Sequence, residues 1–347
     1  MAGFSTDPKS SGEISGPVRD KLRTALLAWY DRAGRELPWR VKGGRADPYR
    51  VWLSEIMLQQ TTVAAVGPYF RKFLELFPTP RTLADAPRDT VLAAWAGLGY
   101  YSRARNLHLA ARSLADAGVP TDEAGWRALP GVGPYTAAAI AAIAFDQPTN
   151  VVDGNIERVM ARLHAVETPL PAAKPELREL AARYVTAKRP GDWAQALMDL
   201  GATICTPKSP KCDPCPISKW CAAFASGAPE IYPRRAAKAA RPERHGAAFV
   251  VRKEDRLWLV RRPDQGLLGG MAGLPTTPWR DKKWPRTQAL DHAPVEADWK
   301  RVGQVRHVFT HFALMLDVYR ADAKPKGEGF WGEAGALPTV FKKATKF

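Results

Sequence analysis

The sequence predicts a multidomain α+β protein, with an all-α domain at 17–224 followed by a smaller, β-rich domain at 246–347. The length of 347 residues suits two domains. Apolar residues recur at helical spacing throughout the first range, whereas short alternating apolar and polar runs occupy the second. The range 225–245 combines several arginines with alanine, proline and glycine, which predicts a basic linker between the domains.

Within the first domain, helices are predicted at 19–32, 63–77, 90–95, 102–117, 135–145, 155–163, 177–188 and 193–204. One more helix is predicted to begin at Pro48, since proline suits the first helical turn. Strands are predicted only in the second domain, at 247–251, 257–261, 302–305 and 312–319.

The composition is strongly basic, with 51 lysines and arginines against 35 aspartates and glutamates and a formal net charge of +16. This excess favours a polyanionic partner. Nucleic acid is preferred to a membrane because the sequence shows neither a basic amphipathic helix nor a long apolar span. Residues 1–16 lack the apolar core of a signal peptide and are predicted to be a flexible tail, so a cytoplasmic protein is expected.

Glu55 lies in the middle of the helix predicted from Pro48, which is otherwise apolar on almost every face. Asp47, just before the proline, can cap this helix. An ionised carboxylate in such surroundings is costly, so the pKa of Glu55 is expected to rise and the group could act as a general acid. A buried glutamate paired with an arginine is the alternative interpretation.

Asp153, in the segment VVDGNI (151–156), is predicted at the N-terminus of a helix, where capping alone would explain it. The helix dipole also favours the anion, so Asp153 is expected to be ionised while Glu55 is protonated. Such a pair can break a glycosidic bond, because the acid activates the leaving group and the anion stabilises an oxocarbenium-like sugar.

The four cysteines are confined to one short stretch, at Cys205, Cys212, Cys215 and Cys221. In a reducing compartment such clustering favours metal ligation over disulfides, and the spacing leaves zinc and an iron–sulfur cluster both open. The same loop carries three lysines, Lys208, Lys211 and Lys219. A metal centre would hold the loop rigid, so that these lysines project toward phosphates.

A glycine hairpin, LPGVGPYT (129–136), precedes an alanine-rich helix. Gly131, Val132 and Gly133 can direct backbone N–H groups toward a phosphate at the start of that helix, since glycine permits close approach. A plain turn between two helices fits the isolated motif equally well.

Together these segments resemble the MutY family of adenine DNA glycosylases, in the helix-hairpin-helix, iron–sulfur superfamily shared with endonuclease III. The matching segments are WLSEIMLQQT (52–61), GLGYYSRARNLH (97–108), LPGVGPYTAAAI (129–140), VVDGNIERV (151–159) and QALMDLGATIC (195–205), with the cysteine spacing. They cover most of the first 225 residues. The resemblance implies a helix-hairpin-helix glycosylase domain with a [4Fe-4S] cluster on the cysteine loop, 205–221.

The resemblance also implies roles for individual residues. Glu55 takes the position of the acid that protonates adenine at N7, Asp153 that of the carboxylate at the sugar C1′, and Asn155 orients that site. Gln60 and Tyr100 match residues that wedge into the DNA stack once the adenine is flipped out. Four further residues match positions near the adenine pocket: Trp39, Arg40, Leu58 and Gln195.

Tyr135 distinguishes between relatives within this superfamily. The endonuclease III branch carries a lysine there, whose amine forms a Schiff base and permits strand cleavage. Tyrosine cannot form one, so a monofunctional glycosylase is expected.

Residues 246–347 resemble the Nudix-like recognition domain of the same family. The glutamate-rich helix that binds Mg²⁺ in true Nudix enzymes is missing after GLLGGMAGLP (266–275), which argues against pyrophosphatase chemistry. Phe309, Thr310 and His311 occupy the place of the family's Phe-Ser-His loop, which reads 8-oxoguanine. Threonine keeps the hydroxyl but adds a methyl group. An ordinary strand edge is the alternative interpretation of this segment.

The expected function is excision of adenine mispaired with 8-oxoguanine or guanine in duplex DNA, leaving an abasic site. A monomer is expected, associated with the nucleoid through DNA binding and without a membrane partner. Two alternatives remain: a bifunctional, endonuclease III-like glycosylase and lyase, and a non-catalytic iron–sulfur protein that binds DNA as a redox sensor. The second of these gives no reason for pairing Glu55 with Asp153.

Overall fold

The computed structural model describes residues 14–41, 45–237, 241–263, 266–309, 311–325 and 327–347. The chain divides into two compact units at the junction between Ala236 and Ala237. The unit before the junction is helical and the unit after it contains the strands, so the predicted fold class is confirmed. No helix in the described ranges is long and apolar enough to cross a membrane.

The helical unit is built from twelve α-helices within its described residues. These are α1 Gly16–Ala33, α2 Pro48–Leu58, α3 Val63–Leu76, α4 Pro80–Asp85, α5 Arg88–Trp95, α6 Tyr101–Ala117, α7 Glu123–Arg127, α8 Pro134–Phe145, α9 Gly154–Leu163, α10 Lys174–Ala182, α11 Pro190–Thr203 and α12 Ala222–Ala225. Two short 3-10 helices, Ser218–Trp220 and Pro229–Ile231, belong to the same unit.

Two hydrophobic cores fill the helical unit, and α8 contributes to both. Ala137, Ile140 and Ala144 face the core formed mainly by α2–α7. Ala138 and Ala139, on the other side of α8, face the core formed with α1, α9, α10 and α11. The alanine-rich sequence of α8 lets helices approach it from both sides, because alanine projects only one methyl group.

Helix α10 ends at Ala182, six residues before the predicted end at 188. Just past this end, the guanidinium of Arg23 on α1 donates to the carbonyl oxygens of Arg183 (3.1 Å), Tyr184 (3.0 Å) and Val185 (2.9 Å). The last carbonyl groups of α10 already accept from the N–H groups of 183–185, so Arg23 holds the non-helical segment that follows the helix.

The second unit consists of two small sheets. Its strands are β1 Glu243–Val250, β2 Arg252–Lys253, β3 Arg256–Arg261, β4 Ala272–Gly273, β5 Lys300–Val308, β6 Ala313–Arg320 and β7 Phe330–Gly332. Its helices are α13 Arg286–Leu290, α14 Thr339–Ala344 and the 3-10 helix Ala334–Ala336. One sheet has the order β1-β6-β5, with β1 parallel and β5 antiparallel to β6. In the other, β3 pairs antiparallel with β2, β4 and β7.

Both faces of the first sheet are covered. Ala248 and Val250 of β1 belong to the core on one face, whereas Ala247 and Phe249 belong to the core on the other. This division follows from the period of two along a strand.

The segment predicted as a linker, 225–245, is largely incorporated into the two units. The Leu170 N–H donates to the Arg234 carbonyl (2.8 Å), the Ala236 N–H donates to the Leu170 carbonyl (3.1 Å), and Tyr232 is buried in the helical unit. At the other end, β1 already begins at Glu243. Only 237–242 remains between the units, of which 238–240 lie outside the described residues, as does most of the predicted tail, 1–13.

Candidate active site

A cavity of about 280 Å³ lies in the helical unit, and eight of the residues predicted from the sequence line it. They are Glu55, Tyr135, Asp153, Asn155, Trp39, Arg40, Leu58 and Gln195. The volume is close to the lower end of the range of about 300–1,000 Å³ that small-molecule sites occupy.

Glu55 is 6% exposed and sits on α2, where its neighbours Val51 to Met57 are all buried. Burial raises the pKa of Glu55 from the usual 4.5 to about 7. The hydrogen bond from the Tyr135 hydroxyl opposes the rise, the negative charge of Asp153 adds to it, and the positive charge of Arg40 lowers it. A pKa near neutrality lets one group hold and release a proton at cellular pH.

The base excision expected from the sequence should slow as the pH rises through about 7, because the acid role expected for Glu55 requires its protonated form. Above that point the single-turnover rate should fall by about tenfold per pH unit, following the protonated fraction. Rates measured from about pH 6 to about pH 9 at saturating enzyme test this, since saturation removes any effect on binding. A rate that does not change with pH over that range would contradict the assignment.

Asp153 precedes α9, as predicted, and both carboxylate oxygens are engaged. One accepts from the Ile156 N–H (2.7 Å), which caps the helix, and the other accepts from the Asn155 amide (2.8 Å). Gly201 of α11 allows this arrangement, because a Cβ there would lie 2.6 Å from Cβ of Asn155. The carboxylate therefore has a fixed position at the positive end of a helix.

Asn155 is held in turn by Arg158, which donates to the Asn155 side-chain oxygen (2.9 Å). The same guanidinium donates to the carbonyl oxygens of Gly201 (2.7 Å) and Cys205 (2.8 Å). A continuous set of hydrogen bonds thus connects Asp153 with the first residue of the cysteine loop.

Tyr135 is the first residue after the proline of α8, and its hydroxyl donates a hydrogen bond to Glu55. Burial, followed by the negative charges of Glu55 and Asp153, raises the pKa of Tyr135 well above 10, so the phenol stays neutral. Among the described residues that line the cavity there is no lysine. The site therefore offers a hydroxyl where Schiff-base chemistry would need an amine.

The sequence interpretation missed Asp199 and Arg35. Asp199 on α11 is fully buried and accepts from the Arg40 guanidinium (2.6 and 2.8 Å) and from Arg35 through its N–H (2.8 Å) and Nε (2.6 Å). Burial alone would raise the pKa of Asp199, but the hydrogen bonds and charges of the two arginines outweigh it and lower the pKa. The ion pair between Asp199 and Arg40 fixes the Arg40 guanidinium at the cavity wall. An aspartate between apolar neighbours in a helix was the signal available, as it was for Glu55.

We expect Asp199→Asn to destabilise the protein by about 3–5 kcal/mol, because it leaves two arginines beside a buried site without their counter-charge. The contribution of Asp199 should be lost on acidification through its lowered pKa, since a carboxylate favoured by folding stabilises only while ionised. Denaturant unfolding measures both effects. Asp31→Asn is the matched control, because Asp31 pairs with Arg189 at the surface and should contribute about 0–1 kcal/mol.

Gln60 and Tyr100 lie outside the cavity lining, each at an exposed turn. Gln60 has φ of 56° and Tyr100 has φ of 47°, both in the left-handed region of the backbone that residues other than glycine seldom adopt. Both side chains are therefore presented outward by strained turns, as a wedge would require.

The hairpin before α8 is formed as the sequence suggested, with one difference. Gly131 has φ of 76°, and a Cβ there would lie 2.7 Å from Cβ of Asn106, so glycine is required. The Val132 side chain is buried and its N–H donates to the Leu129 carbonyl (3.2 Å). Its N–H is therefore bonded within the turn, while Gly133 occupies the N-cap of α8.

All four cysteines line a second, smaller cavity between α9, α11 and the loop that follows α11. Within the described ranges, no three His, Cys, Asp or Glu side chains are close enough together to hold a metal ion as they stand. Fully buried Arg162 donates to the Cys205 sulfur (3.2 Å), and the Cys221 thiol donates to the Arg162 carbonyl (3.3 Å). Four thiols around one cavity, with a cation beside them, are a donor set that fits either an iron–sulfur cluster or a zinc ion.

In the second unit, Phe309 follows β5 and packs among aromatic rings. Its ring stacks on Trp279 (5.7 Å between centroids) and meets His307 (4.6 Å) and Phe312 (5.1 Å) at an angle. His311 is exposed at the turn between β5 and β6, and Thr310 lies outside the described residues.

Comparisons with known proteins agree with this geometry. The model of the HhH-GPD superfamily of base excision DNA repair proteins matches residues 53–185, and a NUDIX domain model matches residues 247–344. The adenine DNA glycosylase of Homo sapiens is 36% identical over 363 aligned positions, covering 86% of this chain and 66% of the human protein. That of Mus musculus is 36% identical over 394 positions, covering 93% of this chain and 76% of the mouse protein.

The chain belongs to the adenine DNA glycosylase family. It is an N-glycosylase of base excision repair that acts on DNA, and its second unit is a Nudix-like domain. A solved structure of a thermostable thymine-DNA glycosylase also matches, with a TM-score of 0.54 and 30% identity. That match covers 60% of this chain and 97% of the solved chain.

Proposed function

We propose that this adenine DNA glycosylase removes adenine paired with 8-oxoguanine or guanine, and that it is monofunctional. The observation that carries the proposal is the position of Glu55 and Asp153 in one cavity of about 280 Å³. Their surroundings suit them to different roles. Glu55 is buried among apolar residues, which favours its protonated form, whereas Asp153 accepts from two N–H donors at the start of a helix, which favours its carboxylate form.

In the proposed mechanism the adenine leaves the stack and enters the cavity, with Gln60 and Tyr100 filling the space it leaves. Glu55 donates its proton to the base at N7, so that the base departs as a neutral leaving group. Asp153 stabilises the positive charge that develops on the sugar at C1′, and Asn155 keeps that carboxylate oriented. Water then attacks C1′ and passes a proton to the Glu55 carboxylate, which restores the acid and leaves an abasic site.

Arg40 and Tyr135 complete the site in this proposal. Asp199 holds Arg40 in place by hydrogen bonds. The positive charge of Arg40 stabilises the Glu55 carboxylate that forms when the proton leaves. Tyr135 donates to the resulting Glu55 carboxylate, which stabilises the acid in its spent form. Both groups therefore act on the acid and not on the sugar.

We further propose that Cys205, Cys212, Cys215 and Cys221 hold a [4Fe-4S] cluster. When bound, the cluster ties the loop of 205–221 into one rigid element. Arg162 neutralises part of the charge at Cys205, and Arg158 links the carbonyl of Cys205 to Asn155. A brown protein with iron and sulfide in cluster ratio is the expected result, and a protein containing zinc alone would contradict this proposal.

Recognition of the opposite base is assigned to the loop of Phe309, Thr310 and His311. Two observations support this assignment. Phe309 packs against Trp279 and so anchors the turn, and His311 is exposed and so remains available to contact the opposite base. The enzyme is proposed to work as a monomer in the cytoplasm, bound to the nucleoid. Size-exclusion chromatography of the free protein tests whether it is a monomer.

The deciding experiment incubates the cluster-loaded protein with a duplex that holds one 8-oxoguanine:adenine pair. Free adenine and an alkali-labile site are expected, with a matched 8-oxoguanine:cytosine duplex left intact. Intact adenine after long incubation would contradict the proposal.

The bifunctional alternative predicts a covalent intermediate through an amine. Borohydride added during the reaction should trap none with this protein, because Tyr135 supplies a hydroxyl. A trapped complex would restore that alternative.

A further inference from the structure

We infer that Arg103 is a positioning residue that holds the two wedge turns, those of Gln60 and Tyr100, in a single arrangement. The inference rests on the proposed function, since it concerns how the adenine is kept out of the stack. Arg103 lies in the first turn of α6 and is 8% exposed.

On the Gln60 side, the Arg103 guanidinium binds the end of α2. Its Nη1 donates to the carbonyl oxygens of Ile56 (3.0 Å) and Met57 (2.8 Å), and its Nη2 donates to the Thr61 hydroxyl (3.1 Å). The two carbonyls belong to the last turn of the helix, where intrahelical donors are missing. Gln60 lies between these contacts, in a turn closed by the Thr61 N–H on the Leu58 carbonyl (3.1 Å).

On the Tyr100 side, the same Nη2 donates to the carbonyl oxygens of Leu98 (3.2 Å) and Gly99 (3.5 Å). The guanidinium also lies over the rings of Tyr100 (5.5 Å) and Trp95 (5.2 Å), and the Trp95 indole N–H donates to the Gly99 carbonyl (3.0 Å). One planar cation therefore touches the backbone of both turns and the wedge side chain of one of them.

Both wedge residues need this support because both are strained. The left-handed backbone of Gln60 and Tyr100 is unfavourable for any side chain and persists only where the surroundings impose it. Arginine suits the task because its donors form a fixed fork that can serve several carbonyls at once, whereas lysine presents a single point charge. Without the fork, each turn could relax independently, and the wedge would be lost before the chemical step.

The test compares Arg103→Lys with the wild-type protein on an 8-oxoguanine duplex that carries 2-aminopurine in place of adenine, whose fluorescence reports unstacking. The flipping equilibrium should shift back toward the stacked base by about tenfold, as expected for losing one or two hydrogen bonds. Affinity for undamaged duplex, measured by anisotropy, should stay within about twofold, since Arg103 is buried and does not contact phosphate.

A second pair of variants addresses the Gln60 side alone and decides the matter if Arg103→Lys does not fold. Thr61→Val removes the hydroxyl that accepts from Arg103 (3.1 Å) and donates to the Gln59 carbonyl (3.3 Å), whereas Thr61→Ser keeps it. We expect Thr61→Val to reduce flipping by about threefold to tenfold, consistent with one or two hydrogen bonds, and Thr61→Ser to match the wild type. Arg81→Lys, at an exposed arginine on α4, controls for the loss of a guanidinium elsewhere.

Unchanged fluorescence with Arg103→Lys, or equal behaviour of the two Thr61 variants, would overturn the inference. An equal loss of affinity for undamaged duplex would also overturn it, because general damage and not wedge positioning would then explain the defect. A wild-type protein that releases no adenine from the mispair contradicts the proposed function itself, so the two failures are distinguishable.

Discussion

Glu55→Gln is expected to bind the mispair as tightly as the wild type and to excise adenine slower by about a hundredfold to ten-thousandfold, the range that general acid catalysis supplies. Glutamine has nearly the same shape and can accept the hydrogen bond from Tyr135, so the cavity should keep its form. It has no proton to transfer. Single-turnover excision and anisotropy binding measure the two quantities separately.

The same substitution should stabilise the protein at high pH. Between the usual pKa of 4.5 and the raised pKa of about 7, the folded protein holds the Glu55 proton more tightly than the unfolded chain, so stability falls as the pH rises. Above pH 7 the variant should therefore be more stable by up to about 3 kcal/mol. Glu75→Gln, at an exposed position on α3, should change neither rate nor stability. Full activity of Glu55→Gln would remove the acid from the mechanism.

Asp153→Asn is expected to slow excision by about a hundredfold to a thousandfold, because it removes the charge that stabilises the developing cation. The cap should persist, since asparagine caps a helix as well as aspartate does and can still accept from the Ile156 N–H. The bond from the Asn155 amide is lost, which should cost about 1 kcal/mol of stability. A kinetic loss much larger than this small loss of stability is thus the signature of an electrostatic role.

Asp122→Asn is the matched control for this prediction. Asp122 caps α7 by accepting from the Gly125 N–H (2.7 Å), in the same way that Asp153 caps α9, but it does not line the cavity. Its substitution should leave excision unchanged. Equal rates for the wild type and Asp153→Asn would reduce Asp153 to a capping residue.

Local patterns were sufficient to predict the elements that carry the proposed chemistry. An acidic residue in an otherwise apolar helix indicated Glu55, and an aspartate before Gly154 indicated the cap at Asp153; the structure places both in one cavity. The long helices were also predictable, because each repeats its apolar spacing over several turns. The short elements were not: α4 and α7 have six and five residues, and β2 and β4 have two each, too few to show a period.

What remained hidden depends on contacts between distant parts of the chain. Asp199 meets Arg40 across 159 positions and Arg35 across 164, so no motif could join them. The non-helical segment that follows α10 is likewise held by Arg23, far away on α1. Sequence patterns report what a residue does within its own element, whereas these effects are created when separate elements meet.

The helix α8 has a mechanical consequence. Because its alanines belong to two cores at once, separating those cores would expose at least one apolar side of α8 to water, at a hydrophobic cost. The helix therefore couples the packing of the two halves of the helical unit. Replacing Ala138 or Ala139 with a bulkier side chain would strain the core on that side of α8 without changing a residue that lines the cavity.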